Sequence, residues 1–144
     1  MIFSTKAEYG VRVMAHLAGT DASQPVSLGS IADAEGLPLA YLEHLVQRLR
    51  RQGLVESRRG ARGGYILTRP AGDITMAEIV EALEGNLAPI ECLRPDGLCH
   101  REVTGDAACP TKLLWTRVQG SIVRTLTEMT LADLKKPTKE KAVV

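Results

Sequence analysis

Aromatic side chains are scarce in this chain, with one Trp, one Phe and three Tyr in 144 residues. A core of stacked rings is thereby excluded, and aliphatic residues must supply the interior. No stretch approaches the roughly 18 unbroken apolar residues of a membrane helix, so no bilayer span is expected. The first residues, Met1 to Lys6, lack the apolar run of a signal peptide, and the expected location is the cytoplasm. Histidine is scarce as well, and His16, His44 and His100 are scattered. With no nucleophile–base pair and no phosphate-cradling loop beside them, no enzyme activity is expected. Cysteine occurs three times, as Cys92, Cys99 and Cys109. An odd count cannot pair completely within one chain, and a reducing cytosol favours a metal or redox role over a structural disulfide.

The formal charge of +1 conceals a segregation. From Arg48 to Arg69 there are seven arginines (48, 50, 51, 58, 59, 62 and 69), no lysine and a single acid, Glu56. From Pro70 to Pro110 there are eight acids and two arginines, Arg94 and Arg101. A charged run is most often a solvated face. One made solely of arginine is the footprint of phosphate contacts, and points to nucleic acid.

A chain of 144 residues is one domain, or one domain with an appendage. A first helix is expected from Ser4 or Thr5 to Gly19, with Thr5-x-x-Glu8 as a capping box and Tyr9, Val13, Met14 and Leu17 on its apolar face. Residues 20–26 read as a loop. Ser27 caps a short helix with Leu28, Ile31 and Ala32, and Gly36-Leu37-Pro38 turns into a third helix, 38–52. Its stripe is Leu42, Leu45, Val46 and Leu49, and Gly53 ends it. This order is that of a helix-turn-helix. Two short strands, 54–58 and 65–68, flank Arg59-Gly60-Ala61-Arg62-Gly63-Gly64, and a hairpin in this place is a wing. A capping box at Thr75-x-x-Glu78 opens a helix with Ile79, Val80 and Leu83, closed by Gly85. An irregular loop follows, and Pro110 suits the first turn of a last helix reaching about Thr130. Leu114, Val118, Ile122, Leu126 and Met129 share one of its faces, and such a stripe late in a small domain calls for a partner surface.

The face of the third helix opposite its leucines presents Ala40, Tyr41, Glu43, His44, Gln47, Arg48 and Arg51, which suit base edges in a major groove. Arg58, Arg59 and Arg62 on the wing suit phosphates or a narrow minor groove, or else keep an edge strand soluble. The cysteine spacings, six residues and then nine, differ from the paired knuckles of a structural zinc site. They match a loop wrapping an iron–sulfur cluster, or a thiol/disulfide switch without one.

On these residues the chain resembles the IscR/NsrR-type family of winged-helix regulators. The resemblance is carried by Ser4-Thr5-Lys6-Ala7-Glu8-Tyr9-Gly10, Tyr41-Leu42-Glu43, Arg59-Gly60-Ala61-Arg62-Gly63-Gly64-Tyr65 and Ile79-Val80-x-Ala82-Leu83-Glu84-Gly85, followed by three cysteines. It implies a mainly α fold, with a small β-hairpin wing and a long C-terminal dimerisation helix. It implies a homodimer on a palindromic operator in double-stranded DNA, and a [2Fe-2S] or [4Fe-4S] cluster on Cys92, Cys99 and Cys109. Where IscR-like members carry a histidine after the last cysteine this chain has Lys112. NsrR-like members take a carboxylate from the first helix, and Glu8 holds the matching position. Glu8 is thus either a ligand or the capping partner of Thr5; His100 is a weaker candidate ligand. The expected organisation is a DNA-binding unit at 1–85, a cysteine loop at 86–109, a dimerisation helix at 110–134 and a tail at 135–144.

Overall fold

The computed structural model describes residues 3–97 and 109–134. Helix α1 spans Thr5–Gly19, α2 Leu28–Glu35 and α3 Leu39–Arg51. Strands β1 (Val55–Arg58) and β2 (Gly64–Leu67) pair antiparallel, with Val55 opposite Leu67 and Arg58 opposite Gly64. A 3-10 turn, Ala71–Asp73, precedes α4 (Met76–Glu84). A second turn, Glu91–Leu93, carries Cys92, and α5 (Lys112–Glu128) leads to a last turn, Leu131–Leu134. The mainly helical, winged-helix expectation therefore holds.

Apolar residues at helical spacing build one core. Helix α3 contributes Leu42, Leu45, Val46 and Leu49, all essentially inaccessible, each worth about 1.5–3 kcal/mol of burial. They pack with Val13, Met14 and Leu17 of α1, Ile31 of α2, Ile74, and Ile79 and Leu83 of α4. Gly10 lets α1 lie close on α4, since a β-carbon there would overlap the side chain of Leu83. Helix α2 is capped by Ser27, whose Oγ accepts from Ser30 N at 3.2 Å, and ends at Gly36 in the left-handed region. The Thr75–Glu78 capping box of α4 forms as expected.

Four local expectations are corrected or refined. Thr5 and Glu8 do not form a capping box: Ser4 is the N-cap of α1, its side chain accepting from Lys6 N. The reason is tertiary, because Glu84 of α4 reaches the same turn and its Oε1 accepts from Ser4 N (3.0 Å), Ser4 Oγ (2.6 Å) and Ala7 N (3.3 Å). Residues 20–26 form the expected loop, whose last residue, Val26, also exchanges both backbone hydrogen bonds with Tyr65 at 3.0 and 2.8 Å. Pro110 precedes the N-cap Thr111 instead of entering the last helix. That helix stops at Glu128, after which the chain turns back onto the domain: Met76 N donates to Met129 O, Leu131 N donates to Ile74 O, and Leu131 is wholly buried.

Helix α5 itself buries no residue completely. Val118, Ile122 and Leu126 are half-buried, as is Trp115, which lies outside the expected stripe. Leu113, Leu114, Val123 and Met129 remain exposed.

Candidate nucleic-acid interface and thiol segment

The amphipathic pattern of α3 decides what it shows to solvent. With its leucines inward, Ala40, Glu43, His44, Gln47, Arg48 and Arg51 are all exposed on the other side. Tyr41 differs: it is half-buried, its ring stands edge-on to Tyr9 at 5.6 Å, and its hydroxyl lies 3.1 Å from Thr5 Oγ1. Tyr41 thus ties α3 to the first turns of α1. Arg48 is partly held as well, donating from Nη1 to Leu83 O of α4 at 3.4 Å.

The wing carries three exposed arginines. Arg58 pairs with Glu56 at 2.7 Å, an exposed ion pair worth about 0–1 kcal/mol that gives way readily to another anion. Arg59 and Arg62 make no hydrogen bond or ion pair among the described residues. They stand on a tip closed by Gly63 N donating to Gly60 O, with Gly60 at φ +122°. At its base, a β-carbon on Gly64 would collide with the backbone carbonyl of Val26. The glycine is what lets the 20–26 segment seat against β2 and fix the hairpin on the helical body.

The thiol segment begins directly after α4. Cys92 and Cys109 are half-buried, and Cys109 Sγ lies 3.1 Å from Thr111 Oγ1 at the start of α5. Cys99 and His100 lie outside the described residues, as does the 135–144 tail. Glu8 is exposed on α1, and its carboxylate makes no hydrogen bond or ion pair among the described residues. Within those residues no group of three His, Cys, Asp or Glu is close enough to hold a metal ion. The donor chemistry nonetheless fits an iron–sulfur group, because soft thiolates are what such iron takes and the two described thiols are only half-covered.

Glu84 stood within the Ile79–Gly85 stretch, but nothing in the residue order showed that it reaches the first turn of α1. Its partial burial raises its carboxyl pKa, but the hydrogen bonds from Ser4 and Ala7, with Lys6 nearby, outweigh this and hold it below the ordinary 4.5. No helix among the described residues is long and apolar enough to cross a membrane.

A helix-turn-helix followed by an arginine-bearing hairpin is the architecture of a winged-helix regulator of transcription. The chain belongs to the Rrf2 family, described as an iron-dependent transcriptional regulator, whose model matches residues 3–137. It is 38% identical over 134 residues to protein rrf2 of Nitratidesulfovibrio vulgaris, covering 93% of this chain and 87% of that one. Two solved structures are similar at TM-score 0.74. CymR of B. subtilis, described as the global cysteine regulator, is 38% identical, with 94% of this chain and 96% of that one covered. T. potens IscR is 42% identical, with 93% and 85% covered. The chain is accordingly a transcriptional regulator and not an enzyme.

Proposed function

We propose that this regulator acts as a homodimer that reads a palindromic operator in double-stranded DNA, and that its affinity is set by an iron–sulfur cluster on Cys92, Cys99 and Cys109. The observation that carries the DNA reading is that an exposed polar face on α3 is followed in the chain by a wing bearing exposed arginines, Arg59 and Arg62, without partners among the described residues. Ala40, Glu43, His44 and Gln47 face base edges, while the wing takes phosphates or the minor groove. The exposed Leu113, Leu114 and Val123 of α5 supply a self-complementary surface for the second protomer.

The iron-dependent family description supports the cluster, as does the free carboxylate of Glu8, the proposed fourth ligand. Such a cluster supplies iron that exchanges electrons or reacts with a small molecule. The chain's own contribution is a route from the thiol segment to α3. Glu84, one residue before Gly85, caps α1; Thr5 of that turn meets Tyr41; and Tyr41 belongs to α3. A change in how the 86–109 segment is held therefore bears on the recognition helix through neighbouring contacts. The likeness to a global cysteine regulator favours a second reading, a cluster-free thiol/disulfide sensor on the same residues.

Anaerobic purification separates the two. The cluster reading expects coloured protein containing iron and sulfide, lost in Cys92→Ala, Cys99→Ala and Cys109→Ala. Colourless parent protein whose DNA affinity follows thiol oxidation establishes the second reading instead. For the wing, the Arg59→Ala, Arg62→Ala double variant is expected to bind every duplex more weakly with a shallower salt dependence. Unchanged binding at all salt concentrations overturns its assignment.

A further inference from the structure

A groove of about 370 Å³ lies between the first turn of α1 and the exposed face of α3. Its walls are Lys6, Tyr41, His44, Gln47, Arg48 and Arg51, over the buried Leu45. Two helices thus bring three permanent cations together with no carboxylate among the lining residues. Arg51 and His44 make no hydrogen bond or ion pair with any described residue, while Arg48 is anchored to Leu83 O. Glu84, the acid whose charge acts on Lys6, directs Oε1 to the backbone and hydroxyl of α1. Arg48 and Arg51 also border a neighbouring groove with Glu78 and Glu81, but neither acid forms an ion pair with them among the described residues, Glu78 being held by Arg69. Cations gathered in this way repel one another, and an anion between them converts that repulsion into attraction.

We infer that this groove seats a phosphate group, gripped by Lys6, Arg48 and Arg51 without regard to base sequence. The inference deepens the DNA reading above and rests on it. It also reassigns Arg48 and Arg51, placed among the base-reading residues on sequence grounds. Both lie in the last turn of α3, whereas a recognition helix reads bases from its N-terminal residues. A third cation arriving from α1 suits a phosphodiester at the rim of the groove better than a base edge. Guanidinium forks match phosphate oxygens, and the Lys6 ammonium adds a point charge. The source is either the DNA backbone or free phosphate, and the chemistry of the seat is the same for both.

The test uses two duplexes: one selected from random-sequence DNA by the parent protein, and a scrambled duplex of equal length. Lys6→Gln and Arg51→Gln are expected to weaken binding to both by the same factor. Each is also expected to lower the slope of log affinity against log salt by about 0.9 for every phosphate charge it no longer neutralises. Matching thermal melts of parent and variants control for folding. A methylphosphonate at the seated position weakens the parent by that factor and leaves Lys6→Gln unaffected, which assigns the backbone as the source. If inorganic phosphate instead protects the parent but not Lys6→Gln against thermal unfolding, with the salt slopes unchanged, the seat takes free phosphate. Loss confined to the selected duplex would show that Arg51 reads bases and overturns the inference, as do unchanged slopes without phosphate protection. A parent that binds neither duplex refutes the DNA reading itself, and the phosphate-protection arm then decides the seat alone.

Discussion

Replacing Glu84 by Gln keeps the shape of the side chain that caps α1 and removes its charge. In the parent, one carboxylate oxygen accepts three hydrogen bonds from the first turn of α1, two of them from backbone amides that the helix leaves without partners. A hydrogen bond to a charged group contributes about 1.5–3 kcal/mol when well buried, and a negative charge at a helix N-terminus adds about 0.3–1 kcal/mol. Glu84 is only partly covered and Gln still accepts, so the net loss is about 1 kcal/mol, or roughly 3 °C in melting temperature for a chain of this size. The pH dependence is more diagnostic. Because the folded carboxyl titrates below 4.5, its stabilisation is fully present above that value and is lost as pH falls through the lower native pKa. Urea unfolding of parent and variant at equal protein concentration, from pH about 7 downward, is therefore expected to show a constant gap that closes in acid. No gap at neutral pH, or a gap undiminished once carboxylates are protonated, refutes the reasoning.

Three further outcomes follow from the packing. Leu131→Ala, which empties a wholly buried site, is expected to cost about 2–5 kcal/mol in chemical denaturation; a loss below about 1 kcal/mol shows that the return of the chain after α5 is not part of the core. Gly64→Ala forces a β-carbon against Val26 O, at a cost of about 1–3 kcal/mol. Hydrogen exchange at the Val26 and Tyr65 amides is expected to accelerate, and retained protection contradicts the seat of the wing. Leu114→Glu places a charge on an exposed apolar position of α5, and sedimentation is expected to show folded monomers; a dimer of unchanged affinity places the interface elsewhere.

Much of the architecture was legible in residue order. The stripe of Leu42, Leu45, Val46 and Leu49 follows from the 3.6-residue repeat, and once it is inward the polar face of α3 must be outward. Ser27, Gly36, Gly53 and the Thr75–Glu78 pair mark helix ends because their chemistry is local: a short oxygen reaching a nearby amide, or a glycine tolerating positive φ. The wing was visible for the same reason, in glycines flanked by two short strands.

What local chemistry could not specify are the contacts closed over long sequence distances. Thr5 and Glu8 have the spacing of a capping box, yet Ser4 takes the cap and Glu84, eighty residues away, supplies the second acceptor. Val26 looks like loop and pairs with Tyr65; Leu131 lies beyond the expected end of the last helix, with nothing in its neighbours to mark it as core, and is wholly buried. Tyr41 has the helical position of a base-reading residue, but the approach of α1 half-buries it. Lys6 joins Arg48 and Arg51 because α1 crosses beside α3. Residue order alone settles the elements, their inward faces and the kinds of side chain available to meet DNA or iron. Which of those side chains are already engaged and which are exposed follows from how the helices approach one another, and a helix's own period carries no record of its neighbour.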